Sequence, residues 1–314
     1  MLPKVLKYSI IVSGNDYMKK KKRRTKKNLK RAARQRAALL LIVALVAAVV
    51  ALDYFFNDGE LFRQFNDWLA DDVPVLVTDR PAVLRRDLAA YYPLSERELQ
   101  LIEHSAFSLG FNDAWRTAAW VVHRLNHSDF LSGERHTRTD RFLPDPFLAN
   151  SPVTADYLRS GFDRGHLAPA ADFSFNADFM RESFYMSNIA PQYPNLNRIL
   201  WNEIEQFIRR SMPQRPQMVI FTGPIHYGEP SRFIGNSRVA VPDAFYKIAY
   251  DEARSEVLVF VANNIAERQP GITQSNSYMV TLADVERLSE LTFLQNSPNR
   301  SNLLTMLSFA VWGH

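Results

Sequence analysis

The chain has 314 residues, 46% of them hydrophobic, and it contains no cysteine. This length can bury a large core, whereas disulfides and thiolate metal sites are excluded. The net charge is +5, but residues 1–36 contribute +13 of it, which leaves −8 for residues 37–314. In the larger part of the chain, attraction to nucleic acid must therefore come from a local basic patch.

The N-terminal region combines a basic run with an unbroken apolar run. Residues 1–36 are rich in lysine and arginine. Residues 37–52 are all apolar, and Tyr54, Phe55 and Phe56 extend this run. About 20 residues of helix cross a hydrocarbon layer of about 30 Å. We predict a cytoplasmic tail over 1–36 and a single transmembrane signal anchor over 37–56, with the remainder on the non-cytoplasmic (periplasmic or extracellular) side.

Other interpretations of this region stay open. The apolar run could be a signal peptide that is cleaved to release a secreted protein, or a buried core helix. The anchor could lie in a mitochondrial inner membrane, and the lysine cluster could be a nucleic-acid-binding arm. Translation could also start at Met18, because residues 1–17 differ in composition from the lysine-rich segment after Met18.

The rest of the chain is predicted to form a linker or stalk over 57–94 and one α+β domain over 95–314. Ser95 and Glu98 have the spacing of a capping box, which predicts a short helix. Apolar runs predict strands over 118–125, 218–222, 244–249 and 257–261, the second ended by a turn at Gly223-Pro224. Residues 135–149 are polar and proline-containing and predict a loop near the site. Helices are predicted from about Asn197 and over 282–294.

Two short motifs carry the candidate chemistry, 163–166 (Asp-Arg-Gly-His) and 187–192 (Ser-Asn-Ile-Ala-Pro-Gln). His166 can supply a neutral imidazole near pH 7, as a general base must. At 100° per residue, Asn197, Glu205 and Arg209 fall within about 120° of one another on a helix. Amide and carboxylate oxygens suit Mg²⁺, and a guanidinium suits phosphate. These residue types together predict phosphodiester hydrolysis with one metal ion.

The motifs, in this order and spacing, resemble the DNA/RNA non-specific endonuclease family over about residues 119–293. The resemblance implies an α+β fold with an antiparallel sheet and a ββα-metal (His-Me finger) site. It further implies cleavage of DNA and RNA with Mg²⁺, or Mn²⁺ as a substitute, to give 5′-phosphate ends. Family members are often homodimers.

The resemblance also implies a role for each site residue. His166 would activate water, and Asn197 would bind the metal directly while Glu205 holds metal-bound waters. Arg164 and Arg209 would contact phosphate, and Asp163 and Asn188 would support the site. A further family arginine is assigned to Arg138, with Arg141 as the alternative.

Two other functions remain open from the sequence. The domain could be a catalytically inactive nucleic-acid-binding module, because a fold does not by itself imply a function. It could instead be a phosphodiesterase for small or lipid-linked diesters. Nicking of plasmid DNA, with and without EDTA, separates these alternatives from an endonuclease.

Overall fold

The computed structural model describes residues 88–131, 133, 135–297, 300–306 and 312. All of them belong to one compact unit, Asn66–His314. The predicted tail, the anchor over 37–56 and most of the linker lie outside the described residues. Within the described part of the chain, no helix is long and apolar enough to cross a membrane.

Thirteen strands are formed by the described residues. They are β1 Leu94–Ser95, β2 Gln100–Glu103, β3 Ser108–Asn112, β4 Thr117–Asn126, β5 Asp163–His166, β6 Ile189–Gln192, β7 Gln217–Ile225, β8 Phe233–Ile234, β9 Val239–Ala240, β10 Ala244–Asp251, β11 Glu256–Asn263, β12 Leu291–Thr292 and β13 Leu304–Met306.

The helices of the described residues are fewer than the strands. The α-helices are α1 His127–Leu131, α2 Ala177–Glu182, α3 Asn202–Arg210 and α4 Leu282–Ser289, and a π-helix, Leu196–Trp201, runs directly into α3. Turns of 3₁₀-helix are Ala89–Tyr91, Thr154–Tyr157, Ala170–Phe173, Met186–Asn188 and Arg300–Asn302.

A seven-stranded sheet in the order β13-β11-β10-β7-β4-β3-β2 organises the domain. Every neighbouring pair of strands is antiparallel except β11 and β13, which are parallel. The sheet is therefore mixed, which corrects the expectation of a wholly antiparallel sheet. The interior strand β10 is buried along its whole length. A strand buried on both faces requires a layer on each side of the sheet.

Alternation along the central strands divides the core between the two faces. Val121 and Ile220 pack into one apolar cluster with the π-helix and α3, whereas Val122 and Phe221 pack into the other with α4. Side chains of successive strand residues point to opposite faces, which produces this division. A third, smaller cluster surrounds the two-stranded ribbons β5–β6 and β8–β9.

The four predicted strands are confirmed as β4, β7, β10 and β11, each longer than the apolar run. Residues 135–149 form a loop, as expected. The helix predicted near Asn197 also exists, but it starts as a π-helix, so the regular 100° spacing does not hold across its first turn.

The helix predicted at Ser95 is wrong. Residues 100–103 form strand β2, in which Ile102 is buried and Leu101 is 50% exposed. Ser95 Oγ accepts a hydrogen bond from the Arg97 backbone (3.0 Å) and so closes a local turn rather than capping a helix. Alternating burial against the edge of the sheet outweighs the capping pattern.

The predicted C-terminal ends of strand β7 and helix α4 are also corrected. Strand β7 does not end before Gly223-Pro224 but continues to Ile225. Pro224 is tolerated because β4 pairs with β7 only as far as Thr222, so the proline has a neighbouring strand on one side only. Helix α4 ends at Ser289 because Glu290 adopts a left-handed conformation (φ 58°), and strand β12 follows.

Candidate active site

The ribbon β5–β6 positions the histidine. His166 pairs with Ile189 and Gly165 pairs with Ala190, so the two sequence motifs lie side by side. A Cβ on Gly165 would lie 2.2 Å from Oε1 of Gln192, which is fully buried. Glycine is therefore needed here for the close approach of the two strands.

His166 lies at the end of β5, in an aromatic pocket. Its ring centroid is 5.4 Å from Phe142 and 4.9 Å from Phe184, and the residue is 8% exposed. Nε2 is buried and has no hydrogen-bond partner in the described part of the chain. Burial lowers the pKa of His166 to about 3, and the charges of Arg138 and Arg164 contribute in the same direction. The imidazole is neutral at pH 7.

Two arginines flank this pocket. The guanidinium carbon of Arg164 is 4.4 Å from the centre of the Phe142 ring, and that of Arg138 is 5.3 Å from the Phe184 ring. The charge of Arg138 lowers the pKa of both His166 and Glu205. The charges of both Arg138 and Arg164 therefore influence the protonation of groups in this site.

Asn188 is a structural asparagine. It is fully buried, and its Oδ1 accepts a hydrogen bond from the Ala168 backbone (2.9 Å). Its Nδ2 donates to the carbonyls of Ala168 and Ser183, both at 2.8 Å. The side chain fixes the chain just after His166.

Asp163 orients Asn197. Its Oδ2 accepts from Asn197 Nδ2 at 2.9 Å, and both of its oxygens accept from Arg198, at 2.8 and 2.7 Å. An ionised carboxylate only accepts hydrogen bonds, so the amide nitrogen of Asn197 must face it and the amide oxygen Oδ1 must face away. This orientation presents the atom that could bind a metal ion.

Glu205 lies in a largely buried position on α3, next to Lys247 of β10. Lys247 Nζ is 3.8 Å from Glu205 Oε1 and donates to Thr222 Oγ1 at 2.8 Å and to the Leu167 carbonyl at 3.2 Å. Burial raises the pKa of Glu205 to about 7, although the charges of Lys247 and Arg209 oppose the shift. The side chain is 12% exposed.

Arg209 binds Asp172 and not Glu205, its neighbour one helical turn earlier. Arg209 Nη1 is 2.7 Å from Asp172 Oδ1, and His123 Nε2 is 2.9 Å from Asp172 Oδ2. Burial alone would raise the pKa of Asp172, but the hydrogen bond from His123 and the charge of Arg209 outweigh burial and lower it. This fixed carboxylate holds the guanidinium at the site.

The donor set fits a hard divalent cation. Asn197 and Glu205 offer amide and carboxylate oxygens, the ligands that Mg²⁺ prefers. In the described ranges, no group of three or more His, Cys, Asp or Glu side chains could hold a metal ion. The residues therefore suit an ion that keeps several of its waters, rather than a closed cage of side chains.

Sequence reasoning missed Lys247 and Asp172. Lys247 is 1% exposed and interrupts the otherwise apolar run of β10, and a lone lysine in a buried strand is a signal that could have been used. Asp172 gave no comparable signal, because it lies in a short 3₁₀ turn and becomes central only through His123 and Arg209.

A neutral histidine flanked by arginines, on a strand whose first residue orients Asn197, is an arrangement typical of hydrolases of phosphate esters. The chain belongs to the DNA/RNA non-specific endonuclease family, whose model matches residues 88–300. It is therefore a hydrolytic endonuclease by family, as the sequence motifs indicated.

Individual relatives agree with this assignment. Mitochondrial endonuclease G of Homo sapiens is 31% identical over 225 residues, covering 67% of this chain and 74% of that protein. The mitochondrial nuclease EXOG of Xenopus laevis is 34% identical, covering 64% of this chain and 60% of its own length, and a nuclease of Nostoc sp. is 32% identical, covering 63% and 75%. A crystal structure of an EndoG/EndoGI complex superposes with a TM-score of 0.60 at 28% identity, covering 66% of this chain and 90% of that chain.

Proposed function

We propose that this endonuclease hydrolyses DNA and RNA with Mg²⁺, with little sequence preference, and leaves 5′-phosphate ends. The observation that carries the proposal is strand β5. One strand of four residues ends in His166 and begins with Asp163, which orients the oxygen of Asn197. Strand β5 thus links the proposed base to the residue that orients the proposed metal ligand on the neighbouring π-helix.

His166 is proposed to accept the proton of the attacking water. In the free protein its pKa is about 3, which makes it neutral but weakly basic. Burial is the largest cause and would persist, whereas a phosphate bound between Arg138 and Arg164 would offset the part due to their charges. Substrate binding would then raise the pKa of His166 toward the range in which a general base is effective.

Asn197 is proposed to bind the metal through Oδ1, and Glu205 to hold metal-bound waters. When bound, Mg²⁺ supplies charge stabilisation at the leaving 3′ oxygen, and Mn²⁺ is expected to substitute for it. Burial lowers the pKa of Lys247, and the charge of Lys247 in turn lowers the pKa of Glu205 and favours its ionised, accepting form.

Arg138, Arg164 and Arg209 are proposed to stabilise the negative charge that develops on phosphorus. Guanidiniums held in place before reaction lose little freedom when that charge appears. Phosphate contacts carry no base information, so a site built on them cleaves with little sequence preference.

Location and assembly are proposed more broadly. The membrane anchor over 37–56 remains our proposal from the sequence. The mitochondrial alternative is supported by the names of endonuclease G and EXOG. A homodimer remains a prediction from the resemblance. EndoG in the superposed structure is bound to EndoGI and inhibited, which makes a protein inhibitor a further partner to look for.

The test compares the full-length protein with His166→Ala on plasmid DNA and total RNA, in Mg²⁺ and in EDTA. We expect cleavage that needs Mg²⁺ and falls by about 10²- to 10⁴-fold in the variant. His127→Ala, on α1 away from β5, is the matched control and should cleave like wild type. Ligation of the products without prior kinase treatment checks for 5′-phosphates.

Other results would redirect the proposal. Cleavage that survives in His166→Ala would show that the base is assigned wrongly. Binding of nucleic acid without cleavage would favour the inactive module. Hydrolysis of a small diester by a protein that leaves DNA and RNA intact would favour the phosphodiesterase.

A further inference from the structure

Arg232 lies on a pair of aromatic rings at one end of the site. Its guanidinium carbon is 4.5 Å from the centre of the Phe162 ring and 5.8 Å from that of Tyr193. Its Nη1 donates to the Tyr193 hydroxyl at 2.7 Å, and the two rings are 4.5 Å apart. The side chain is exposed but held in one direction by these contacts.

The backbone connects both aromatic residues to residues of the proposed metal site. Phe162 directly precedes Asp163, which holds Asn197. The carbonyl of Tyr193 accepts the backbone N–H of Asn197 at 2.9 Å. The platform that carries Arg232 is therefore fixed relative to Asn197 from two sides.

Arg232 makes the same type of contact as Arg138 and Arg164, the two arginines near His166. Each of these arginines lies over a phenylalanine of the same apolar cluster; the pairs are Arg138 on Phe184, Arg164 on Phe142 and Arg232 on Phe162. Arg164 and His166 are alternate residues of β5, so their side chains lie on one face, and Phe162 directly precedes this strand. At about 3.3 Å per residue, Phe162 lies about 13 Å from His166 along the chain.

A polar cavity of about 450 Å³ adjoins Arg232. Ser160, Asn236 and Asp156 also line it, and both oxygens of Asp156 accept backbone N–H groups, from Ser237 and Val153 at 2.9 Å. Because Asp156 is 3% exposed and bonded in this way, its charge is directed into the protein rather than into the cavity. The volume lies in the range of small-ligand sites.

We propose that Arg232 and this cavity form a remote nucleotide subsite, in which Arg232 binds a backbone phosphate of the strand being cleaved and the cavity receives the adjoining nucleotide. Because Phe162 lies about 13 Å from His166, the phosphate at Arg232 would be a different one from the scissile phosphate at His166. The inference rests on the proposed nuclease function and adds a preference for long strands.

The experiment measures kcat/KM of the full-length protein on a 20-residue and a 2-residue thymidine oligonucleotide at several salt concentrations. A dinucleotide has a single phosphodiester, so it cannot place one phosphate at His166 and a second at Arg232. Arg232→Ala should lose about tenfold on the long substrate, mainly through KM, and less than threefold on the short one. The slope of log(kcat/KM) against log[salt] on the long substrate should become shallower by about 0.7, the value for one single-strand phosphate.

Two further variants complete the test. Arg287→Ala, on α4 and 69% exposed, is the control and should match wild type on both substrates. Tyr193→Phe removes only the hydroxyl that holds Arg232, so it should show a smaller loss in the same direction even if Arg232→Ala proved unstable by thermal melting. The basic residues of 1–36 are identical in all variants and cancel in the comparison.

The outcomes separate the two proposals. Equal losses on long and short substrates, or no loss with an unchanged salt slope, would overturn the subsite. Wild-type protein that cleaves neither substrate, nor plasmid DNA, would instead overturn the proposed function.

Discussion

Replacing Asp163 by alanine removes the acceptor that orients Asn197, and we expect it to weaken Mg²⁺ binding far more than folding. A hydrogen bond to a charged group contributes about 1.5–3 kcal/mol. A tenfold change in affinity corresponds to about 1.4 kcal/mol, so the loss predicts a 10- to 100-fold higher Mg²⁺ concentration for half-maximal activity. Loss of a group that orients a metal ligand typically has this magnitude.

The cost to stability should be small for a structural reason. The other partner of Asp163 is Arg198, whose side chain is 69% exposed, and exposed ion pairs contribute about 0–1 kcal/mol. For a domain of this size, about 1 kcal/mol lowers the melting temperature by about 2–4 °C. A metal defect with a nearly normal melting temperature would separate orientation of Asn197 from general damage.

The assay titrates Mg²⁺ by activity and, independently, by calorimetry. Arg198→Ala removes the ion pair but leaves the bond from Asn197 to Asp163, so its Mg²⁺ titration should resemble that of wild type. Asp178→Ala breaks an exposed pair with Arg181 of equal length (2.7 Å) elsewhere and serves as the control. An unchanged Mg²⁺ titration in Asp163→Ala would refute the assignment of Asn197 as a ligand.

Three further changes test other parts of the structure. Lys247→Met removes the cation beside Glu205, so the Glu205 carboxyl group should protonate more easily. Activity at pH 7 should therefore fall more than activity at pH 9. Equal losses at the two pH values would contradict this reasoning. Gly165→Ala places a Cβ against the buried Gln192 and should cost about 1–3 kcal/mol in denaturant unfolding, and an unaltered midpoint would show that the ribbon can widen.

His226 tests the pH dependence of stability. It is 9% exposed and burial lowers its pKa to about 4, so the unfolded chain, with a pKa near 6.5, binds a proton first. Stability from this group is therefore complete above pH 6.5 and is lost as the pH falls toward 4, by on the order of 3 kcal/mol. His226→Phe should flatten the dependence of the free energy of unfolding on pH in that window, and a slope as steep as that of wild type would contradict the reasoning.

Much of the sheet could be predicted from local pattern. Continuous apolar runs indicated β4, β7, β10 and β11, because a strand buried on both faces cannot alternate with polar residues. Local pattern failed at Ser95, where the capping box competes with the edge of the sheet, and at Gly223-Pro224, where turn residues lie inside a strand. In both places long-range pairing outweighs local preference.

The sequence by itself determined the residue types of the site and its family, because the two motifs and the spacing to Asn197 and Glu205 lie in short stretches of chain. Only the tertiary structure decided the partners. Arg209 binds Asp172 rather than Glu205, and Glu205 lies next to Lys247, because α3 packs against the sheet that carries Lys247 and His123. A buried charge takes the partner that packing brings within reach, and spacing along one helix does not contain that information.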